Sequence, residues 1–148
     1  MKIAFFDSGI GGLTVLHQAM RKMPQEDYLY YADTDHVPYG RKTKYQIRQY
    51  VQEAVDFIAE QDVKALVVAC NTATSVAIKD LRARYSFPIL GMEPAVKPAV
   101  SDTRCTKRIL VTATPVTIRE EKLKNLLKEI FTDQFMQDCT NFENFEYF

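Results

Sequence analysis

Four short apolar runs constrain the fold of this chain more than any other feature. Lys2–Phe6, Tyr28–Ala32, Ala65–Ala69 and Arg108–Thr112 are each bounded by polar or turn residues, and none shows the strict alternation of a strand with one wet face. Such runs read as strands buried on both faces of a parallel sheet. Between and after them the apolar spacing switches to the helical period, at Leu13, Leu16, Met20 and Met23, at Ile47, Tyr50, Val51, Ala54, Val55 and Ile58, and at Leu123, Leu126, Leu127 and Ile130. Parallel neighbours need a crossover, and helices of this length supply it. The expected fold class is therefore α/β, an open parallel-sheet sandwich with helices on both faces.

A further short strand is expected at Pro88–Gly91. Beyond it, Pro94 and Pro98 break regular structure and mark a crossing between lobes. The expected division is one nearly complete lobe over residues 1–97 and the start of a second, similar lobe over 98–148. The stretch from Thr132 to Phe148 holds Phe135, Phe142, Phe145, Tyr147 and Phe148 among acidic and amide residues, with no clear period.

Bulk composition narrows the partners. With 148 residues, 47% of them hydrophobic, the chain can bury one core. The 19 Lys and Arg residues balance 19 Asp and Glu residues, with no long run of one sign, which argues against a nucleic-acid footprint or an anionic-membrane patch. No segment approaches the roughly 20 apolar residues of a membrane helix. Cys70, Cys105 and Cys139 are an odd set without CxxC spacing, and the apolar run after Met1 is too short for a signal peptide. A reduced, cytoplasmic protein whose partner is a small molecule or another protein is expected.

In open α/β sheets ligands bind beyond the carboxyl ends of the strands, so the residues just after each run carry the chemistry. The first exit, Asp7-Ser8-Gly9-Ile10-Gly11-Gly12-Leu13-Thr14, combines glycines with a coming helix, so its backbone N–H groups suit an anion such as a carboxylate. The second, from Asp33 to Gly40, collects Asp33, Thr34, Asp35, His36, Pro38 and Tyr39; His36 is expected at the surface, without a metal. The third, Cys70-Asn71-Thr72-Ala73-Thr74, puts a thiol where a buried strand meets a helix start, a setting that favours the thiolate. Free cysteine is also a common core residue, so position alone does not make Cys70 catalytic. The fourth, Thr114-Pro115-Val116-Thr117, suits a carboxylate or a helix cap. Cys105 has no convergent partners.

Taken in order, Asp7-Ser8-Gly9-Ile10-Gly11-Gly12-Leu13-Thr14-Val15, Asp33-Thr34 with Pro38-Tyr39-Gly40, Ala69-Cys70-Asn71-Thr72-Ala73 and Thr114-Pro115-Val116-Thr117 resemble the glutamate racemase family. The resemblance runs from Met1 to about Arg119. It implies a two-lobed α/β enzyme, often a homodimer, that inverts glutamate without a cofactor by placing one cysteine on each face of the substrate Cα. It implies Cys70 as the first of those cysteines and Asp7 as its catalytic assistant. The same motifs imply substrate contacts at Ser8, Pro38, Tyr39, Gly40, Asn71, Thr72, Thr114 and Thr117. The family's second cysteine stands in a Gly-Cys-Thr-His motif that has no counterpart here; Cys139-Thr140 is followed by Asn141-Phe142 and is assigned no role. A weak or inactive racemase is the expectation for this length of chain.

Two other readings compete. Gly9-x-Gly11 before a helix, with Asp33 downstream, imitates a nucleotide-binding fingerprint, but the third glycine position holds Thr14. A non-catalytic interaction module built on the same lobe is the second.

Overall fold

A computed structural model describes residues 1–96 and 111–132. The chain runs β1 (Lys2–Asp7), α1 (Leu13–Lys22), β2 (Tyr28–Ala32), two 3-10 turns (Thr34–His36 and Tyr39–Arg41), α2 (Lys44–Ala59), β3 (Val63–Val68), α3 (Asn71–Arg84), β4 (Ile89–Gly91), α4 (Pro115–Arg119) and α5 (Glu121–Thr132). The sheet order is β2-β1-β3-β4, and each pair is parallel. Phe5 stands opposite Tyr30 on one side and Val67 on the other, so the central strands are β1 and β3.

Strand pleating sorts the side chains into two faces. Ala4, Phe6, Leu66, Val68 and Ile89 point one way and are buried under Ile47, Val51, Val55 and Ile58 of α2 and Ala73, Ala77 and Leu81 of α3. Phe5, Tyr28 and Tyr30 point the other way. There the Tyr28 hydroxyl donates to the carbonyls of Ala19 and Met23, and the Tyr30 hydroxyl donates to that of Gly9, which ties α1 to this second face. The apolar stripe of α1 is only partly used, since Leu13, Met20 and Met23 remain exposed. Leu90 is exposed on the same side of the sheet.

Local signals fix the ends of the helices. Thr43 and Gln46 form a reciprocal capping box at the start of α2, with Gln46 N–H donating to Thr43 Oγ1 at 3.2 Å and Thr43 N–H to Gln46 Oε1 at 3.0 Å. Thr114 caps α4 by accepting from Thr117 N–H, and Pro115 occupies the first helical turn, where its missing N–H costs nothing. One expectation needs correction: Val111 and Thr112 are not strand but irregular backbone leading into that cap, and the remainder of the Arg108–Thr112 run lies outside the described residues. Pro98, Cys105, Cys139 and the aromatic tail after Thr132 also lie outside them. Val96 and Leu123 form a small separate apolar cluster with Val111, Ile118 and Leu126.

Candidate active site

Because the strands are parallel, β1 and β3 deliver Asp7 and Cys70 to the same edge of the sheet. Ala69 N–H donates to the Phe6 carbonyl at 2.7 Å, and Asp33 N–H donates to the Asp7 carbonyl at 3.0 Å, which locks the three strand exits side by side. A cleft of about 700 Å³ opens there between the sheet edge and the Val96–Leu123 cluster. Asp7, Cys70, Asn71, Thr72, Thr114 and Thr117 all line it. A second hollow of about 300 Å³ between α2 and α3 is lined by Arg48, Gln52 and Asp80, but Arg48 is already paired with Asp80 at 3.2 Å, and nothing in it converges on a ligand.

Cys70 is the N-cap of α3. Its Sγ accepts from Ala73 N–H at 3.4 Å and lies 3.4 Å from Ser8 Oγ. A sulfur in this position faces the N-terminus of a 14-residue helix and a hydroxyl that can donate to it. The thiol is buried at 7% exposure yet lines the cleft, so it belongs both to the core and to the site.

The glycine-rich exit behaves differently from its expected role as a ligand-binding anion cradle. Its amides are turned on the protein's own carboxylate: Gly12 N–H donates to Asp7 Oδ2 at 3.0 Å and Gly9 N–H to the same oxygen at 3.3 Å. Asp7 is buried and therefore needs these donors. They fix its Oδ2 at the wall of the cleft that Cys70 also lines.

Thr72, Thr114 and Thr117 form a closed triangle of hydroxyls, with Oγ1 separations of 3.0, 3.2 and 3.0 Å. In the cyclic arrangement each hydroxyl donates once within the ring; Thr114 Oγ1 also accepts from Thr117 N–H, so Thr72 and Thr117 are the two that keep a lone pair free, which suits an ammonium, and breaking one internal bond frees a donor for a carboxylate. Gly40 abuts this wall. A Cβ there would sit 3.0 Å from both Cβ and Cγ2 of Thr114, so a side chain at this position would press on the threonine and displace it by a few tenths of an ångström.

Tyr39 is buried, and its hydroxyl donates to Asp33 Oδ2 at 2.6 Å. Burial and then the Asp33 carboxylate push this phenol far above its ordinary range, so it is a fixed donor rather than a proton carrier. Tyr30 is pushed up to about 12 by burial and then by Asp7. His36 is partly exposed; its Nδ1 lies 2.7 Å from Asp33 Oδ1, and its ring stacks on Tyr50 with centroids 3.7 Å apart. Pro38 stays exposed at the outer side of the turn. Among the described residues no group of three or more potential metal ligands occurs.

The profile of the family described as Asp/Glu/Hydantoin racemase matches residues 12–145. The chain belongs to that family. Its similarity to curated members is high: it is 61% identical over 130 residues to a protein named glutamate racemase from Halothermothrix orenii, covering 88% of this chain and 51% of the relative. It is 59% identical over 133 residues to glutamate racemase 2 of Bacillus subtilis, covering 88% and 49%. The chain thus spans about half the length of the curated relatives it matches. Among solved structures, the glutamate racemase of Aquifex pyrophilus superposes with a TM-score of 0.78 at 40% identity, over 87% of this chain and 51% of that one. The Escherichia coli enzyme, solved with L-glutamate and an activator, UDP-MurNAc-ala, gives 0.78 at 31% identity, over 94% and 51%. These racemase folds share the parallel sheet and its helices with this chain. They leave the nucleotide-binding reading without support.

Asp7, Cys70, Asn71, Thr72, Thr114 and Thr117, singled out in the sequence, share one cleft, but their connections were not legible there. The pairing of Asp33 with Tyr39 and the apolar lining from Met92 and Val96 carry no pattern in the sequence. Tyr30 was legible only as part of an apolar run.

Proposed function

We propose that this chain is the N-terminal part of a glutamate racemase and carries one of its two proton-transfer groups. The observation that carries the reading is Cys70 Sγ held at a helix start within 3.4 Å of Ser8 Oγ, on the wall of a cleft that also contains Asp7 and three threonine hydroxyls. In this reading the Cys70 thiolate takes the Cα proton, forming S–H, while the C–H electron pair moves onto the substrate carboxylate. Preorganised donors around the cleft hold the charge that develops.

Asp7, fixed by the Gly9 and Gly12 amides, assists the proton transfer, and Ser8 meets the substrate beside the sulfur. Asn71 with Thr72, Thr114 and Thr117 holds the amino and carboxylate groups; Pro38, Tyr39 and Gly40 shape and close that wall. Inversion then requires a second acid on the opposite face of Cα. Residues 1–97 form the first lobe and 98–148 begin the second. The names of the relatives, and a related structure containing glutamate, favour glutamate as the substrate. The same reading makes the whole protein a cytoplasmic, cofactor-independent homodimer that supplies D-glutamate for peptidoglycan.

Proton NMR of the chain with L-glutamate, and separately D-glutamate, in D2O tests the reading. Loss of the Cα proton from one enantiomer without inversion is expected from a site with one working base. Absence of exchange with both enantiomers would overturn the reading for this chain and put the interaction-module alternative ahead.

A further inference from the structure

We infer that Asp33 is a positioning residue of this site, tying the end of β1 to the Tyr39–Gly40 turn and through that turn setting the threonine wall of the cleft. Asp33 is buried at 6% exposure, far from where a solitary carboxylate would be stable. Its N–H and both carboxylate oxygens are used. Its N–H donates to the Asp7 carbonyl at 3.0 Å, Oδ2 accepts from Tyr39 at 2.6 Å, and Oδ1 lies 2.7 Å from His36 Nδ1. The Tyr39 contact is within the range of short, charge-assisted O–H···O⁻ bonds.

Both ends of this relay are anchored. On the outer side His36 lies flat on Tyr50 of α2, with 12° between the rings, so the imidazole that holds Asp33 is itself held by the helix carrying Ile47 and Val51 into the core. On the inner side Tyr39 packs in the same buried cluster as Cys70, and the next residue, Gly40, touches Thr114. Thr114 closes the hydroxyl ring with Thr72 and Thr117. A shift of Tyr39 therefore carries Gly40 away from Thr114 and opens the ring, although Asp33 itself does not line the cleft.

The same bond chemistry occurs once more at the other end of α2 and α3, where the Tyr85 hydroxyl donates to Asp56 Oδ1 at 2.6 Å, and this provides an internal control. The inference rests on the racemase reading only for its glutamate measurement. The experiment follows the threonine methyl resonances of the full chain by NMR and its affinity for D-glutamate by titration. Asp33→Ala is expected to shift the methyls of Thr72, Thr114 and Thr117 and to weaken D-glutamate binding about tenfold, the scale of losing a hydrogen bond to a charged group. Asp33→Asn, whose amide can accept from Tyr39 and donate to His36, is expected to restore both. Asp56→Ala is expected to change neither. His36→Ala, milder for the fold, should shift the same three methyls part of the way. Unmoved threonine methyls in both Asp33→Ala and His36→Ala, or equal movement in Asp56→Ala, would overturn the inference. A wild-type chain that binds no glutamate would sink the racemase reading, while the methyl shifts still decide the role of Asp33.

Discussion

Replacing Gly12 by alanine places a methyl group where three atoms already stand. The added Cβ would lie 2.8 Å from Asp7 Cβ, 2.9 Å from Ala69 Cβ and 3.1 Å from the Tyr30 hydroxyl. Carbon atoms normally rest about 3.5–4.0 Å apart. The two carbons cannot swing away, because each is bonded directly to the backbone, one in β1 and the other just past β3. The loop must move instead. Overpacking of this kind costs about 1–3 kcal/mol. The movement also stretches the bond from Gly12 N–H to the Asp7 carboxylate, a class worth about 1.5–3 kcal/mol when intact. A combined loss of about 2–4 kcal/mol follows, allowing for partial retention of that bond. At a urea slope of about 2 kcal/mol per molar, the unfolding midpoint falls by roughly 1–2 M. Gly11→Ala is the matched comparison, since its Cβ meets only Asp7 Oδ2 at an ordinary 3.7 Å and no glycine here has positive φ. That variant should hold its midpoint or gain slightly through the unfolded chain. Urea midpoints of the two variants that agree within about 0.3 M would refute the reasoning.

Two other outcomes follow from the same structure. Leu66→Ala, at a fully buried central-strand position, should cost about 2–5 kcal/mol in urea unfolding, whereas Leu90→Ala, 55% exposed, should stay within about 0.5 kcal/mol of wild type; equal losses would contradict the assignment of the two sheet faces. Tyr30 and Tyr85 are both pushed up to about 12 from an ordinary 10.0, by burial first and then by neighbouring carboxylates, and Tyr39 is raised further still. A phenol whose folded pKa exceeds its unfolded one stabilises fully below the unfolded value and loses that contribution as pH rises through the folded value. Urea midpoints should therefore fall as pH climbs from about 10 towards about 12, and a flat or rising profile would contradict the buried, carboxylate-bonded phenols.

The sheet was legible where burial on both faces left unbroken apolar runs, as at Lys2–Phe6 and Tyr28–Ala32. The third strand begins earlier than its apolar run, at Val63, because ladder pairing with Lys2 continues past the exposed Lys64. Helix α2 announced itself by a clean stripe, while its Thr43–Gln46 capping box came to light in the structure. Helix α3 carried no such period: Thr72, Ala73, Thr74, Val76, Ala77, Ile78 and Leu81 are all buried, so most of its circumference is covered. In the site, Cys70 could be singled out because strand exits in parallel sheets are functional positions; Thr114 and Thr117 were singled out by the same rule, although irregular backbone and not a strand precedes them. The use of the glycine amides by Asp7, and the bond between Asp33 and Tyr39, depend on loops folding back over five and six residues, and no local pattern encodes that closure.

The central claim is that the Cys70 sulfur is the group that moves the Cα proton. Its most direct measurement compares wild-type chain with Cys70→Ala for deuterium incorporation at Cα of L- and D-glutamate, with circular dichroism confirming that both are folded. The account predicts exchange of one enantiomer by the wild-type chain and its loss by at least about 10²-fold in the variant, the typical contribution of one general acid or base. Exchange at the wild-type rate in Cys70→Ala would contradict it.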